Sequence, residues 1–245
     1  MNDVLGAAEL RAMWHFDDPQ ESEAVLRAAA DGAASLPGRQ GELLTQVARA
    51  LGLQKRFDEA HHVLDALEPI TPAVAVRTML ERGRLQRDAD EVPAALSSFE
   101  AAAVAAEWGG LETLEVDALH MLAIADPDRA DVWASRAMAI VDGSADPETR
   151  RWAIALENNR GWDLMDLGRY AEALERFEAS HRAALELGGP EQEQVARWAI
   201  ARCLRALGRP VEALAMQRVL AEQRPDDPYV HEEIEALEDA VGFDG

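Results

Sequence analysis

The chain has 245 residues and a formal net charge of −22, from 46 acidic and 24 basic side chains. So acidic a surface repels the phosphates of nucleic acids and of anionic membranes, and neither is expected as a partner. Apolar residues make up 48 % of the chain but aromatics only 5 %, a mixture rich in Ala, Leu and Val that favours helix over strand and can bury a core.

In chain order, the opening MNDVLGAAELRAMWHF carries Asp3 before any base and no apolar stretch of signal length. No apolar run of spanning length follows, so no membrane segment is expected. Cys203, the one cysteine, can form no internal disulfide, which suits a reducing compartment and a cytoplasmic protein. Lys55 is the one lysine, so positive charge falls almost wholly on arginine, a planar two-pronged anion binder.

Small residues twelve apart then bracket a series of turn-like segments. Ala12 and Ala24 flank FDDPQE, Ala48 and Ala60 flank LQKRFDE, and Gly83 and Ala95 flank DADEVP. Ala118 and Ala130 flank ADPDR, Gly161 and Ala173 flank DLGRYAE, and Ala201 and Ala213 flank LGRPVE. The first members step by 36, 35, 35, 43 and 40 residues, which predicts six helical hairpins. A small residue on each helix lets two antiparallel backbones approach closely. Larger residues fill the flanks: Leu51, Met121, Leu164 and Leu204 three places after the first member, and Leu64, Phe99 and Phe177 four places after the second. Gly168, Gly208, Pro93, Pro127 and Pro210 punctuate or open helices, and the Gly109–Gly110 and Gly188–Gly189 pairs suit helix C-termini. The last stretch, PYVHEEIEALEDAV over 228–241, reads as a lone amphipathic helix with a charged outer face, as the end of a repeat stack requires. One domain over 1–245 is expected, with repeats at 5–38, 41–74, 76–109, 111–144, 154–187 and 194–227.

These residues resemble the tetratricopeptide repeat: a small residue, then Leu, then G-x-Y-x-x-A-L-x-x-F. The closest copies are GWDLMDLGRYAEALERF (161–177) and ARCLRALGRPVEAL (201–214), followed by ARALGLQKRFDEAHHVL (48–64). The longer steps around LELGGPEQEQ and the Asn158–Asn159 pair look like the long-helix variant of kinesin light chains and related bacterial regulators. The resemblance implies an all-α, right-handed superhelical solenoid of about six hairpins plus a C-terminal capping helix. It also implies that the first helix of each hairpin lines a concave groove, through positions three before, one after and four after the small residue. Those positions share one helix face.

At these positions stand Arg49, Arg84, Arg87, Asn158, Trp162, Trp198, Arg202 and Arg205, with Asn159 beside them. The amides of Asn158 and Asn159 can pair with an extended peptide backbone. Trp162 and Trp198 offer flat contact area, and the arginines suit carboxylates. Each has a plainer reading: the tryptophans fill gaps between helices, Asn159 bonds a neighbouring repeat, and the arginines pair with Glu or Asp across repeats.

Catalytic and metal motifs are absent from the sequence. His61 and His62 point about 100° apart on a helix and cannot share one metal. Cys203 has no histidine near it in sequence and reads as a buried structural thiol. No enzyme activity, cofactor or metal is expected. The expectation is a scaffold that binds a peptide or protein segment, acidic or carboxylate-ended. The alternatives are a self-associating solenoid, dimerising through the Met13–Phe16 end or the cap, and a bacterial regulator sensing a peptide or small ligand.

Overall fold

The structure, a computed structural model, describes residues 5–242, and among them there are helices and no strands. The chain divides into two compact units, Met1–Gly143 and Ser144–Gly245. In the first, α1 (Ala7–Ala12) leads to α2 (Pro19–Gly32), which packs on α3 (Pro37–Leu53), and α3 forms a hairpin with α4 (Phe57–Asp65). It continues with α5 (Pro72–Asp88) and α6 (Val92–Gly109), then α7 (Glu112–Ala125) and α8 (Ala130–Gly143). The second unit opens with one turn, α9 (Pro147–Arg150), followed by the hairpins α10 (Ala153–Asp166)–α11 (Tyr170–Leu187) and α12 (Pro190–Ala206)–α13 (Pro210–Gln223), and by α14 (Pro228–Val241). Five of the expected hairpins pack as helix pairs and the helix expected at the C-terminal end is present, whereas α1 and α2 do not pack as a pair.

Local chemistry sets the helix starts. Proline occupies the first helical position at Pro19, Pro72 and Pro228, where its missing N–H costs nothing. Before each, a side chain accepts from the first turn: Asp18 from the Glu21 N–H at 2.9 Å, Thr71 from Val74 at 3.2 Å and Asp227 from Tyr229 at 3.1 Å.

Four hairpin turns share one device. The second residue past each first helix is left-handed: Lys55 (φ 61°), Asp90 (φ 61°), Gly168 (φ 70°) and Gly208 (φ 72°). The next N–H then reaches back five residues: Arg56 to Leu51, Glu91 to Gln86, Arg169 to Leu164 and Arg209 to Leu204, at 2.8–3.0 Å. Three of these turns add a forked pair from the following arginine to a glutamate three places on: Arg56–Glu59, Arg169–Glu172 and Arg209–Glu212.

Close approach is set at the small residues. Ala48, Ala60, Ala95, Ala173, Ala201 and Ala213 are fully buried. A Cβ on Gly83 would lie 2.4 Å from the Phe99 ring, and one on Gly161 would lie 2.4 Å from the Phe177 ring. Two of the twelve-residue pairs depart from the expectation. Ala12 and Ala24 are both exposed, because α1 ends at Ala12 and α2 instead turns Ser22, Leu26 and Ala30 inward. Ala130 is only partly covered, since the turn before α8 winds into a 3₁₀ helix over Pro127–Arg129 and the inward residues become Trp133, Ala137 and Val141. Of the two glycine pairs, Gly110 is a left-handed cap of α6 (φ 63°), whereas Gly188 after α11 is extended. In the second unit α14 packs on α13 and α12, burying Val230 and Leu237.

Candidate functional site

In the second unit α10 and α12 lie side by side and present the expected face. Asn158 and Trp162 stand one helical turn apart on α10; Trp198, Arg202 and Arg205 follow the same stripe of α12. Four rings run in series. Trp162 meets Phe177 edge-on at 5.0 Å between centroids, lies 6.0 Å from Trp198, and Trp198 meets Tyr229 of α14 edge-on at 6.4 Å. The Trp198 indole N–H donates to the Tyr229 carbonyl at 3.3 Å, and the Arg202 guanidinium sits 5.3 Å over the Trp198 ring.

Both arginines of this face are held by one carboxylate. Arg202 Nη1 is 2.9 Å from Glu233 Oε1, and Arg205 places Nη2 and Nε 3.0 Å from Oε1 and Oε2. Glu233, on α14, is only 4 % exposed. The two asparagines are linked by one long bond, Asn158 Nδ2 donating to Asn159 Oδ1 at 3.5 Å, while Asn158 Oδ1 is buried with no donor among the described residues.

In the first unit α3 carries Arg49, α5 carries Arg84 and Arg87, and the neighbouring α7 carries Asp117. Arg84 donates to Glu81 at 2.6 Å and to Asp117 at 2.5 Å; all three are buried. Burial works against the charge on Asp117, but the Arg84 guanidinium beside it prevails and holds the carboxyl below its usual range. Arg87 forks onto Asp88, with Nε at 2.9 Å and Nη2 at 2.7 Å. Arg49 has another neighbourhood. Its guanidinium lies 5.4 Å from the centroid of Trp14 and 5.8 Å from that of Phe16, two rings stacked 4.8 Å apart and 6° from parallel. Burial, and then the nearby Arg84, lower its pKa from the ordinary arginine value.

Several expected groove positions are packing instead: Thr45, Leu80, Leu119 and Leu122 are buried. Cys203 is buried too; its thiol donates to the Tyr170 carbonyl at 3.2 Å, and burial, with Glu178 nearby, pushes its pKa up to about 11. At that value it is protonated at neutral pH and a poor nucleophile.

Sequence reasoning passed over Glu233 and Tyr229, although a signal was present. Ala236 lies 35 residues after Ala201, one repeat step. Glu233 thus stands three places before a small residue, as Asn158 and Trp198 do. The capping helix carries the groove pattern of a first helix.

The tetratricopeptide repeat model matches residues 152–224, the stretch from α10 to α13. Among solved structures, the apo form of RapI superposes with a TM-score of 0.70 at 14 % identity, over 95 % of this chain and 70 % of that one. The chain thus shares its all-α, helical-repeat fold with RapI. The apo form of the quorum sensor NprR from B. thuringiensis matches with a TM-score of 0.38 at 13 % identity, over 93 % of this chain and 77 % of that one. No curated protein matches the sequence.

Proposed function

We propose that this chain is a non-catalytic, cytoplasmic scaffold that binds a peptide or protein segment along the α10–α12 face. The reading of one repeat domain over 1–245 goes with this proposal; limited proteolysis that cut near residue 143 into two stable pieces would count against it. One observation carries the proposal: Trp162 and Trp198, from consecutive first helices, make a continuous aromatic surface beside an Asn158 oxygen that has no donor. Flat rings give contact area at low entropic cost, and a buried orphan acceptor is costly unless a ligand N–H reaches it. Arg202 and Arg205 add less acid preference than the sequence suggests, because Glu233 already holds both.

Tryptophan fluorescence titrated with a pool of random hexapeptides tests this. Saturable binding is expected, about tenfold weaker in Asn158→Ala, as the loss of one buried hydrogen bond predicts. Equal binding by Asn158→Ala and by a Trp162→Leu, Trp198→Leu pair would remove the face from consideration.

A second reading, self-association, has its own observation. On α6, Trp108 is 88 % exposed and Val104 lies uncovered beside it. Light scattering decides: a strict monomer at high concentration removes this reading.

A further inference from the structure

The nine expected groove residues include five arginines, and their neutralisation separates one from the rest. Arg84, Arg87, Arg202 and Arg205 each have a carboxylate of this chain. Arg49 has none within ion-pair distance among the described residues. The opposite charges that act on it are Glu81 and Asp117, and both are engaged by Arg84. Arg77, a further neighbour, is engaged by Glu42 at 3.0 Å. Among the described residues Arg49 is therefore a partly buried cation beside another cation, without an anion of its own. Such a charge weakens the free protein, and a bound anion relieves it.

The surroundings of Arg49 are built, not incidental. Between Trp14 and Phe16, the His15 backbone is fastened at both ends to one side chain: its N–H donates to Ser22 Oγ at 2.8 Å, and Ser22 Oγ donates to its carbonyl at 2.9 Å. Ser22 is fully buried in α2. That double tie fixes the short stretch from which the two rings rise and stack. The guanidinium lies almost equally far from the two ring centroids, 5.4 and 5.8 Å, and its N–H groups are of the kind that meet a carboxylate with two parallel bonds. Phe16 is 61 % exposed, so the platform opens to solvent. A single unmatched positive charge fits one carboxylate; a phosphate dianion would stay under-neutralised.

We propose that Arg49, seated on the Trp14–Phe16 stack, is a binding site for one carboxylate group of a bound peptide segment. The proposal rests on the peptide-binding reading for the nature of the ligand, but on Arg49 alone for the charge.

The test has two arms at constant ionic strength. In the first, no ligand is added and the melting temperatures of Arg49→Met and Arg84→Met are compared with wild type. Arg49→Met is expected within about 2 °C of wild type or above it, while Arg84→Met melts several degrees lower. An Arg49→Met drop as large as that of Arg84→Met makes Arg49 structural and overturns the proposal. In the second arm, acetylated tetraglutamate, acetylated tetraglutamine and inorganic phosphate are titrated into wild type and Arg49→Met. Tetraglutamate should stabilise wild type, bind about tenfold more tightly than tetraglutamine, and lose that advantage in Arg49→Met. A tetraglutamate effect that survives in Arg49→Met, or none in wild type, overturns the site. Phosphate acting as strongly as the peptide overturns the assignment to a peptide carboxylate. Asn158→Ala, run in parallel, separates the two proposals, since indifference to that change counts against the α10–α12 face and not against Arg49.

Discussion

The Phe177 ring lies against the backbone of Gly161, where a Cβ would come within 2.4 Å of the ring, and Phe99 stands to Gly83 in the same way. In these two hairpins the first helix gives up a side chain and the second buries an aromatic in its place. Gly161→Ala should therefore lower stability by about 1–2 kcal/mol, the overpacking strain exceeding the helix propensity gained. Gly32→Ala, where nothing lies within 4 Å, should not. Urea denaturation of both variants distinguishes a packing glycine from a tolerated one.

The left-handed turn position is filled by glycine at Gly168 and Gly208 but by lysine at Lys55. A side chain there is strained, so Lys55→Gly should stabilise the protein by about 0.5–1 kcal/mol, while Gly168→Ala should destabilise it by a similar amount. Thermal melts of the two variants should move in opposite directions.

His120, on α7, has its pKa lowered from 6.5, first by burial, against the pull of Asp117 and with Arg84 adding to the shift. A histidine whose folded pKa is depressed favours the fold while neutral. Its contribution is complete above pH 6.5 and is lost as the pH falls from there toward the folded value. His181 is shifted the same way by burial. The melting temperature should therefore decline below about pH 6.5, and a His120→Asn, His181→Asn variant should decline less steeply over that range. Asp117 adds a separate step. Its depressed pKa contributes stability above its ordinary 3.8, and that contribution goes as the pH falls through the folded value.

Glu233→Gln removes the charge that holds Arg202 and Arg205 together. With both arginines part-exposed, the expected cost is about 1–3 kcal/mol, below that of a fully buried pair. The same variant leaves two guanidiniums open to an added carboxylate, so acetylated tetraglutamate should bind it several-fold more tightly than wild type. Calorimetric titration of the two proteins measures that difference.

The hairpins were legible because backbone approach needs small residues, and smallness at a fixed spacing shows in one dimension, as at Ala48 and Ala60 or Gly161 and Ala173. The N-terminal pair misled because in an alanine-rich chain Ala12 and Ala24 match the spacing by chance, while the inward face of α2 is marked by Ser22 and Leu26. The site was legible as a list of side chains on one face but not as a set of partnerships. Whether Arg84 finds Asp117 while Arg49 finds no carboxylate among the described residues depends on which acids stand within reach across neighbouring helices. Arg84 and Asp117 are 33 residues apart, and the sequence carries no local mark of that pairing. Glu233 was missed because a capping helix is read for its end position, not for the groove register it continues.

The most direct test of the account is hydrogen–deuterium exchange of the intact chain with and without the random hexapeptide pool. Added protection on the first helices, above all α10 over 153–166 and α12 over 190–206, is the predicted result. Protection confined to the second helices α6, α8, α11 and α13, or none at saturating peptide, would contradict it.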